Sequence, residues 1–184
     1  MRIISGTYGG RPLESLSGET TRPTGDKIKE TLFNMIGPYF TGGKVLDLYA
    51  GSGGLGIEAV SRGMDEAVLV DKNQSAIDVI SENIEITKEA HKFEVLATAS
   101  DAALSLMSNR HEDFTLVFLD PPYKEQTVEQ DIRKMVQLEL LNDVALIVCE
   151  TASEVTLPDE IEDVTLWQTR EFKNTKLTIY QKGA

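Results

Sequence analysis

From residue 44 onward, short apolar segments alternate with amphipathic segments, and this alternation constrains the fold more than any other feature of the sequence. It is typical of a parallel β-sheet whose strands are joined by crossover helices, so the expected class is α/β. The last two apolar segments have no convincing helix between them, which predicts an antiparallel pair at the end of the chain. The predicted strands are residues 44–49, 67–71, 92–97, 114–119, 144–150, 164–169 and 176–181.

Two of the helices between these strands have recognisable starts. Residues 73–89 carry three isoleucines at helical spacing, and Asn73 is the expected N-cap. Residues 127–130 form a Thr-x-x-Gln capping box, which predicts the start of another helix. Both helices would follow a strand, as crossover connections require.

An N-terminal attachment precedes the alternating segments. A short hairpin is predicted with Gly9 and Gly10 at its turn. A helix over residues 25–36 follows, and Gly37 and Pro38 end it.

A glycine-rich segment follows the first predicted strand. Gly51, Gly53 and Gly56 satisfy the pattern G-x-G-x-x-G before a helical stretch, and Asp71 follows Gly51 by 20 residues at the end of the next strand. In nucleotide-binding loops of this kind the glycines allow a tight turn and a close approach to the ligand, and the acid accepts hydrogen bonds from ribose hydroxyls. No Lys-Ser or Lys-Thr follows the last glycine, which excludes a phosphate-binding P-loop.

Asp47, four residues before the first glycine of the loop, indicates which cofactor binds. A carboxylate there would repel the pyrophosphate of NAD, whereas it would attract the ammonium and sulfonium groups of S-adenosylmethionine. We therefore predict S-adenosylmethionine as the cofactor. A further acid, Asp101, follows the third strand; it could accept a hydrogen bond from the adenine amino group, or serve only as the first-turn acid of a helix.

The segment Asp120-Pro121-Pro122-Tyr123 directly follows the apolar strand over residues 114–119. Ligands of open α/β sheets bind beyond the carboxyl ends of the strands. Two prolines fix the backbone and remove two donors, which leaves carbonyl oxygens and the Asp120 carboxylate as a cluster of acceptors. Such a cluster suits an exocyclic amino group, and Tyr123 could stack on the base that carries it. These four residues form the predicted catalytic site.

Together these motifs resemble the class I S-adenosylmethionine-dependent methyltransferases, and within them the bacterial enzymes that methylate N2 of a guanine in small-subunit ribosomal RNA. The resemblance covers nearly the whole chain, and the segments that carry it are Met1-Arg2-Ile3-Ile4-Ser5-Gly6 with Gly10-Arg11, Arg22-Pro23-Thr24, Lys29-Glu30-Thr31-Leu32-Phe33-Asn34, residues 47–56 and residues 120–123. It implies a Rossmann-like sheet of seven strands with a reversed C-terminal hairpin. It also implies a set of cofactor contacts, namely Asp47, Tyr49, Ala50, Gly51, Ser52, Gly53, Asp71, Lys72, Asp101 and Ala102.

The charge distribution adds an expected RNA platform. The net charge is -12, which by itself argues against a polyanionic partner. Residues 1–44 carry six basic and four acidic side chains, residues 45–169 carry eight and 25, and residues 170–184 carry four and one. Given the resemblance, the basic N-terminal segment is the expected RNA platform, and the basic proteins of an assembled or assembling small subunit could offset the repulsion. The phosphate partners, assigned as a group, are Arg2, Arg11, Arg22, Lys27 and Lys29.

The chain departs from the family pattern at two places. Lys27 and Lys29 stand where arginines are usual, which keeps the charge but loses the planar fork that binds phosphate. In residues 170–175, Phe172 and Lys173 stand where Tyr and Gly are usual, which changes any contact made by this loop. Replacing Lys27 and Lys29 by Ala is expected to weaken substrate binding and to leave cofactor affinity unchanged.

Length and composition narrow the other possibilities. A chain of 184 residues has the size of one domain, in which residues 1–40 form the attachment and residues 41–184 the core. No apolar run has the length of a membrane span or a signal peptide. The single cysteine, Cys149, is expected to be a buried strand thiol, which fits a reducing cytoplasm. The two histidines lack ligand partners at motif spacing, so no metal is expected, and Trp167 is expected in the core.

Three other functions stay open on the sequence. A DNA adenine amino methyltransferase would use the same Asp-Pro-Pro-Tyr segment, although the short chain has no obvious domain for target recognition. A cofactor-binding assembly factor without turnover would not need an intact acceptor cluster. An NAD oxidoreductase is the least favoured, because of the carboxylate at Asp47.

Overall fold

The computed structural model describes residues 1–16, 23–122 and 127–183, and these residues form one mixed sheet of eight strands with five α-helices. The strands are β1 (Lys44–Asp47), β2 (Glu66–Asp71), β3 (Phe93–Ala97), β4 (Phe114–Leu119), β5 (Leu141–Ala152), β6 (Glu160–Ile161), β7 (Val164–Glu171) and β8 (Thr175–Lys182). The helices are α1 (Pro23–Ile36), α2 (Gly54–Ser61), α3 (Gln74–Thr87), α4 (Ser100–Asn109) and α5 (Val128–Gln137). No helix in the described part of the chain is both long and apolar enough to cross a membrane.

The strand order is β3-β2-β1-β4-β5-β8-β7-β6. Strands β1 to β5 run parallel, whereas β8 pairs antiparallel with both β5 and β7. This arrangement confirms the predicted sheet with its reversed C-terminal hairpin, and adds one strand, the two-residue β6 at the edge. The direction of winding changes between β1 and β4, and the carboxyl ends of strands at such a point are where open α/β sheets bind ligands.

Helices cover both faces of the sheet. Phe33 of α1, Ile57 of α2 and Ile80 of α3 are fully buried in one apolar cluster. Leu104 of α4 and Ile132 of α5 are fully buried in the cluster on the opposite face. Because burying one such side chain stabilises the fold by about 1.5–3 kcal/mol, these helices hold the sheet in place and fix the positions of its strand ends.

Two side chains test the core expected from the sequence. Cys149 is fully buried in β5, as predicted, and burial raises the pKa of its thiol above the ordinary range. The prediction for Trp167 is wrong, because its side chain is 43% exposed. Trp167 lies in β7, most of which is accessible to solvent near the edge of the sheet.

Helices α3 and α5 begin where the sequence predicts, but the predicted caps are not formed. The side chain of Asn73 makes no capping hydrogen bond to α3, and that of Thr127 makes none to α5. The Thr127 hydroxyl instead lies 2.9 Å from the hydroxyl of Tyr49 and 3.2 Å from Oδ2 of Asp131. The capping-box prediction is therefore wrong, because contacts beyond the helix take the hydroxyl that would have capped it.

Residues 1–16, which we call the N-terminal strap, pack onto the face covered by α1, α2 and α3. The predicted hairpin is reduced to one antiparallel bridge, between Arg2 and Pro12. Ile3 and Tyr8 are buried in the same apolar cluster as these helices. The strap is therefore part of the core and not a loose extension.

A buried carboxylate, that of Glu58 in α2, holds the strap to the core. Its oxygens accept hydrogen bonds from the backbone N–H groups of Ile4 (2.9 Å) and Ser5 (3.1 Å). The same side chain pairs with Arg62 Nε at 2.7 Å and with Lys29 Nζ at 3.3 Å, and all three charged side chains are buried. Glu58 thus joins the strap, α1 and α2 at one point.

Candidate active site

The loop between β1 and α2 takes the shape that the glycine motif predicts. Gly51 and Gly53 have positive φ angles of 58° and 85°, which glycine adopts readily because it has no Cβ. A Cβ atom on Gly56 would come within 2.3 Å of Leu69 Cδ2 in β2. The first two glycines therefore shape the turn, and the third lets α2 pack closely on the sheet.

The carboxylate of Asp71, at the end of β2, is tied to this loop. Its Oδ2 accepts a hydrogen bond from the backbone N–H of Gly51, and its Oδ1 accepts one from that of Asn73, both at 3.0 Å. A carboxylate can accept about four hydrogen bonds, so Asp71 keeps capacity for the hydroxyls of a ligand.

Asp47 lies beneath the loop with 1% of its surface exposed. Its Oδ2 accepts a hydrogen bond from the backbone N–H of Gly56 at 3.1 Å. Burial, helped by the negative charge of Asp71, raises the pKa of Asp47 to about 7 against the opposing effect of that hydrogen bond. Asp47 is not among the residues that line the cleft described below, so it would act on a cationic ligand from behind the loop.

Replacing Asp47 by Asn is expected to change how stability depends on pH. The Asp47 carboxyl binds a proton more readily in the folded chain than in the unfolded chain, where its pKa is near 3.8; its contribution to stability is therefore present at low pH and lost as the pH rises towards about 7. Relative to wild type, the D47N protein should gain about 2 kcal/mol between pH 5 and pH 7, since this linkage is worth about 1.36 kcal/mol per pH unit. Urea unfolding of both cofactor-free proteins at the two pH values measures the difference, and parallel pH profiles would contradict the prediction.

A cleft in two parts opens at the carboxyl ends of the parallel strands. The first part has a volume of 340 Å³ and lies between the glycine loop, α1 and the strap. The second part has a volume of 450 Å³ and lies beside the ends of β2, β3 and β4. Tyr49, Asp120 and Glu150 line both parts and therefore stand where the two parts meet. Among the predicted cofactor residues, Ala50 and Ser52 line the first part, and Asp71 and Lys72 line the second.

The predicted acceptor cluster lies at this junction. Asp120, Pro121 and Pro122 directly follow β4, and all three line the second part of the cleft. The structure thus brings three of the four predicted catalytic residues next to the glycine loop and Asp71. The fourth, Tyr123, lies outside the described residues.

Tyr49 is fixed in the middle of the cleft by a hydrogen-bond network. Its hydroxyl donates to Oδ2 of Asp131 at 2.6 Å and lies near the hydroxyls of Thr127 and Ser100. Burial and the contact with Asp131 raise the pKa of Tyr49 to about 12. The network connects the end of β1 to the beginnings of α4 and α5, so the ring is held at a fixed point between the two parts.

The residues predicted to contact adenine lie away from the cleft wall. Asp101 and Ala102 are in the first turn of α4, and neither lines the cleft. The Asp101 carboxylate is 82% exposed and pairs with Lys134 of α5. Residues 98–100 line the second part of the cleft instead. The position of Asp101 is that of a first-turn helix acid, and its contact with adenine stays a prediction.

Comparison with known proteins places the chain in a family. Residues 1–181 match the family described as conserved hypothetical protein 95. The chain belongs to this family. It is 43% identical over 185 residues to YlbH of Bacillus subtilis (strain 168), covering 99% of both chains. It is 37% identical over 158 residues to ribosomal RNA small subunit methyltransferase D of Haemophilus influenzae (strain ATCC 51907 / DSM 11121 / KW20 / Rd), covering 85% of this chain and 81% of that one.

A solved member of the family has the same architecture. The Escherichia coli protein yhhF superposes with a TM-score of 0.86 at 30% identity, covering 100% of this chain and 98% of that one. Together with the strand order, this likeness confirms the predicted Rossmann-like fold of a class I methyltransferase. The family that the sequence resembles is confirmed as well.

The cations of the predicted RNA platform lie in different environments. Arg2 and Lys27 are exposed, and Arg11 is half-buried, where its guanidinium donates to the carbonyls of Ile86 and Thr87. The structure does not support Lys29 as a phosphate partner. Its ammonium is 6% exposed, donates to the Arg2 carbonyl at 2.7 Å and pairs with Glu58. Arg22 lies outside the described residues.

The loop that departs from the family pattern lies beside the cleft. It forms the turn between β7 and β8, where the N–H of Phe172 donates to the Thr175 carbonyl at 2.8 Å. Phe172 packs against the apolar cluster that contains α1, α2 and α3, and Thr175 lines the first part of the cleft.

Sequence reasoning missed two carboxylates that the structure makes prominent. Glu150 is at the cleft junction, and it could have been found because it ends a predicted strand beside the one that precedes Asp120. Glu58 could not have been found in this way, because nothing in its sequence neighbourhood shows that the strap covers it. In the part of the chain that the structure describes, no group of three or more His, Cys, Asp or Glu side chains could hold a metal ion.

Proposed function

We propose that this protein transfers a methyl group from S-adenosylmethionine to the N2 amino group of a guanine in small-subunit ribosomal RNA. The observation that carries the proposal is the position of Asp120, Pro121 and Pro122 at the junction of a cleft whose walls include the glycine loop and Asp71. The name of the Haemophilus influenzae relative, ribosomal RNA small subunit methyltransferase D, supports the same substrate class.

The residues of the cleft fit S-adenosylmethionine better than a dinucleotide. Two carboxylates, Asp47 and Asp71, adjoin the glycine loop, where they would oppose a pyrophosphate and favour a cationic ligand. A Cβ atom at Gly51 would meet only Leu16, at 3.8 Å, so the turn leaves its ligand side open. When bound, S-adenosylmethionine supplies a methyl group on a positively charged sulfur. The residues that would hold it are Tyr49, Ala50, Gly51, Ser52, Gly53, Asp71 and Lys72, with Asp47 behind the loop and Asp101 and Ala102 beside it.

Asp120 and the carbonyl oxygen of Pro121 would orient the amino group. An exocyclic amine is a weak nucleophile because its lone pair is delocalised into the ring. Two acceptors that bind its hydrogens would draw the nitrogen towards a tetrahedral shape, with the lone pair aimed at the methyl carbon. The nitrogen would lose its extra proton to solvent or to Asp120 late in the reaction. Tyr123 would stack on the base, which must leave any helical stack to reach the cleft.

The RNA platform is proposed to consist of the exposed cations near the strap. Arg2, Arg11 and Lys27, with Arg22, would bind phosphates, and the folded RNA and basic proteins of a small subunit would offset the acidic remainder of the chain. Lys29 is left out of the platform, because its ammonium is buried against Glu58. Replacing Lys29 would therefore test folding and not RNA binding.

Replacing Arg2 and Lys27 by Ala is expected to weaken binding to the ribosomal substrate by about tenfold at physiological salt, and to lower the salt dependence by about one unit per lost phosphate contact. Affinity for S-adenosylhomocysteine should not change, because neither side chain is needed by the glycine loop. Filter binding over a range of salt concentrations measures both effects. The matched control is R110A, because Arg110 follows the last residue of α4, far from the cleft. An equal loss in the control, or a loss of cofactor affinity, would argue against the platform.

Transfer of radiolabelled methyl groups tests the proposed reaction. The substrates are small ribosomal subunits from cells that lack this gene, naked ribosomal RNA and duplex DNA, and the labelled nucleoside is then identified. Label in N2-methylguanosine is the expected result, and comparing subunits with naked RNA shows which is recognised. Label only in DNA adenine would establish the other amino methyltransferase function. Tight cofactor binding without any label would indicate a non-catalytic assembly factor.

A further inference from the structure

Glu150 stands beside Asp120 at the junction of the cleft, and neither the sequence motifs nor the proposed mechanism gives it a role. Strands β4 and β5 are parallel neighbours with Leu119 opposite Cys149, so the next residue of each strand is Asp120 or Glu150. Their carboxyl groups are joined by a hydrogen bond. Both side chains line both parts of the cleft.

A hydrogen bond between two carboxyl groups requires a proton on one of them. Two adjacent carboxylates repel each other, so such pairs titrate together and retain one proton over a range of pH. Glu150 lies inside β5, with β4 and β8 on either side, whereas Asp120 lies beyond the end of β4. Burial raises the pKa of Glu150 despite the opposing effect of its hydrogen bond with Asp120. The proton therefore belongs on Glu150, and Asp120 carries the charge.

The other charged groups around Glu150 are engaged elsewhere. From α1, Lys29 directs its ammonium to the Arg2 carbonyl and Glu58, while Asp26 adds a further acid to the wall. From β8, Lys176 donates to the carbonyl of Val155. The hydroxyl of Tyr49 donates to Asp131. Among the described residues these surroundings supply no cation that would favour ionisation of Glu150.

We propose that Glu150 is a positioning residue which stays protonated, donates a hydrogen bond to the Asp120 carboxylate and so aims its free oxygen at the amino group of the substrate. This inference rests on the proposed methyl transfer. A bare carboxylate at the end of a strand can rotate and can be solvated, whereas one held by a donor keeps its remaining lone pairs in one direction. Two ionised carboxylates at this junction would instead separate, and the amine would lose its acceptor.

The test compares two replacements in single-turnover methyl transfer. Glu150→Gln keeps a hydrogen-bond donor and should retain the rate within about threefold, whereas Glu150→Leu removes the donor and should lower the rate by about 100-fold. The wild-type rate should fall at alkaline pH as Glu150 ionises, and E150Q, which cannot ionise there, should lose that fall. The matched control is E154Q, which removes an exposed carboxyl shortly after β5 and should behave as wild type.

A second measurement does not depend on activity. Carbon-13 carboxyl titration by NMR in the cofactor-free wild type should show one glutamate with a pKa above the ordinary range, and its signal should be missing in E150Q. The proposal is wrong if all glutamates titrate in the ordinary range, if E150Q and E150L are equally impaired, or if E150L matches wild type. If the wild type itself transfers no methyl group, the proposed function fails, while the titration still decides whether Glu150 holds the proton.

Discussion

An Asp120→Ala protein is expected to transfer methyl groups about 100- to 10,000-fold more slowly than wild type in single-turnover reactions. Asp120 provides the one side-chain acceptor of the proposed cluster, at the point where the two parts of the cleft meet. Without it, the Pro121 carbonyl alone would face the amine, so the lone pair would stay in the ring for more of the reaction. Affinity for S-adenosylhomocysteine should change little, because the glycine loop is held by Asp71 and Asp47.

Two further variants make this result specific. D113A removes an exposed aspartate just before β4, at the opposite end of the same strand, and should transfer at the wild-type rate. D120N keeps the shape of the side chain and one acceptor oxygen, so its loss should fall between those of wild type and D120A. A D120A protein that binds cofactor and RNA and still transfers at the wild-type rate would remove Asp120 from the reaction.

The fold could be predicted because its determinants are local. The apolar runs that become β1 to β5 are each followed by an amphipathic helix, and right-handed crossovers leave few ways to arrange such units. The strand β6 was missed because two residues carry no periodicity. The exposure of Trp167 was missed because it depends on how far β7 lies from the helices that cover the sheet, which the sequence of β7 does not contain.

The candidate site could be predicted where one segment carries its own chemistry. Gly51 and Gly53 need their positive φ angles whatever surrounds them, and Asp120 follows a strand whose end must reach the ligand edge of the sheet. Prediction failed where a distant segment decides the outcome. Asp101 is paired with Lys134 of another helix, and Lys29 is paired with Glu58.

Lys29 shows why sequence charge is an unreliable guide to an RNA surface. Lys27 and Lys29 are two positions apart on α1, so they face different directions, and only Lys27 is exposed. The strap and α2 bury Lys29 against Glu58. The net charge of the N-terminal segment is therefore divided between an exposed surface and an internal ion pair, and a variant that removes both lysines would mix a binding effect with a folding effect.

Replacing Glu58 by Ala is expected to lower the free energy of unfolding by about 3–5 kcal/mol, because removing one partner from a buried ion pair leaves uncompensated charge. The Arg62 guanidinium cannot lose its proton and would stay buried and charged. Burial already lowers the pKa of Lys29, so this residue can become neutral in the variant, which limits the cost on its side. The N–H groups of Ile4 and Ser5 would also lose their acceptor.

Urea unfolding of E58A beside E82A measures this effect, since Glu82 is an exposed residue of α3 whose replacement should cost less than about 0.5 kcal/mol. Hydrogen exchange adds the location: the amides of Ile4 and Ser5 should exchange much faster in E58A, while those of β4 follow global unfolding only. The strap contributes Met1 and Ser15 to the first part of the cleft, so its release would also open that part to solvent. If E58A and E82A unfold at the same urea concentration, Glu58 does not hold the strap, and the apolar contacts of Ile3 and Tyr8 must hold it instead.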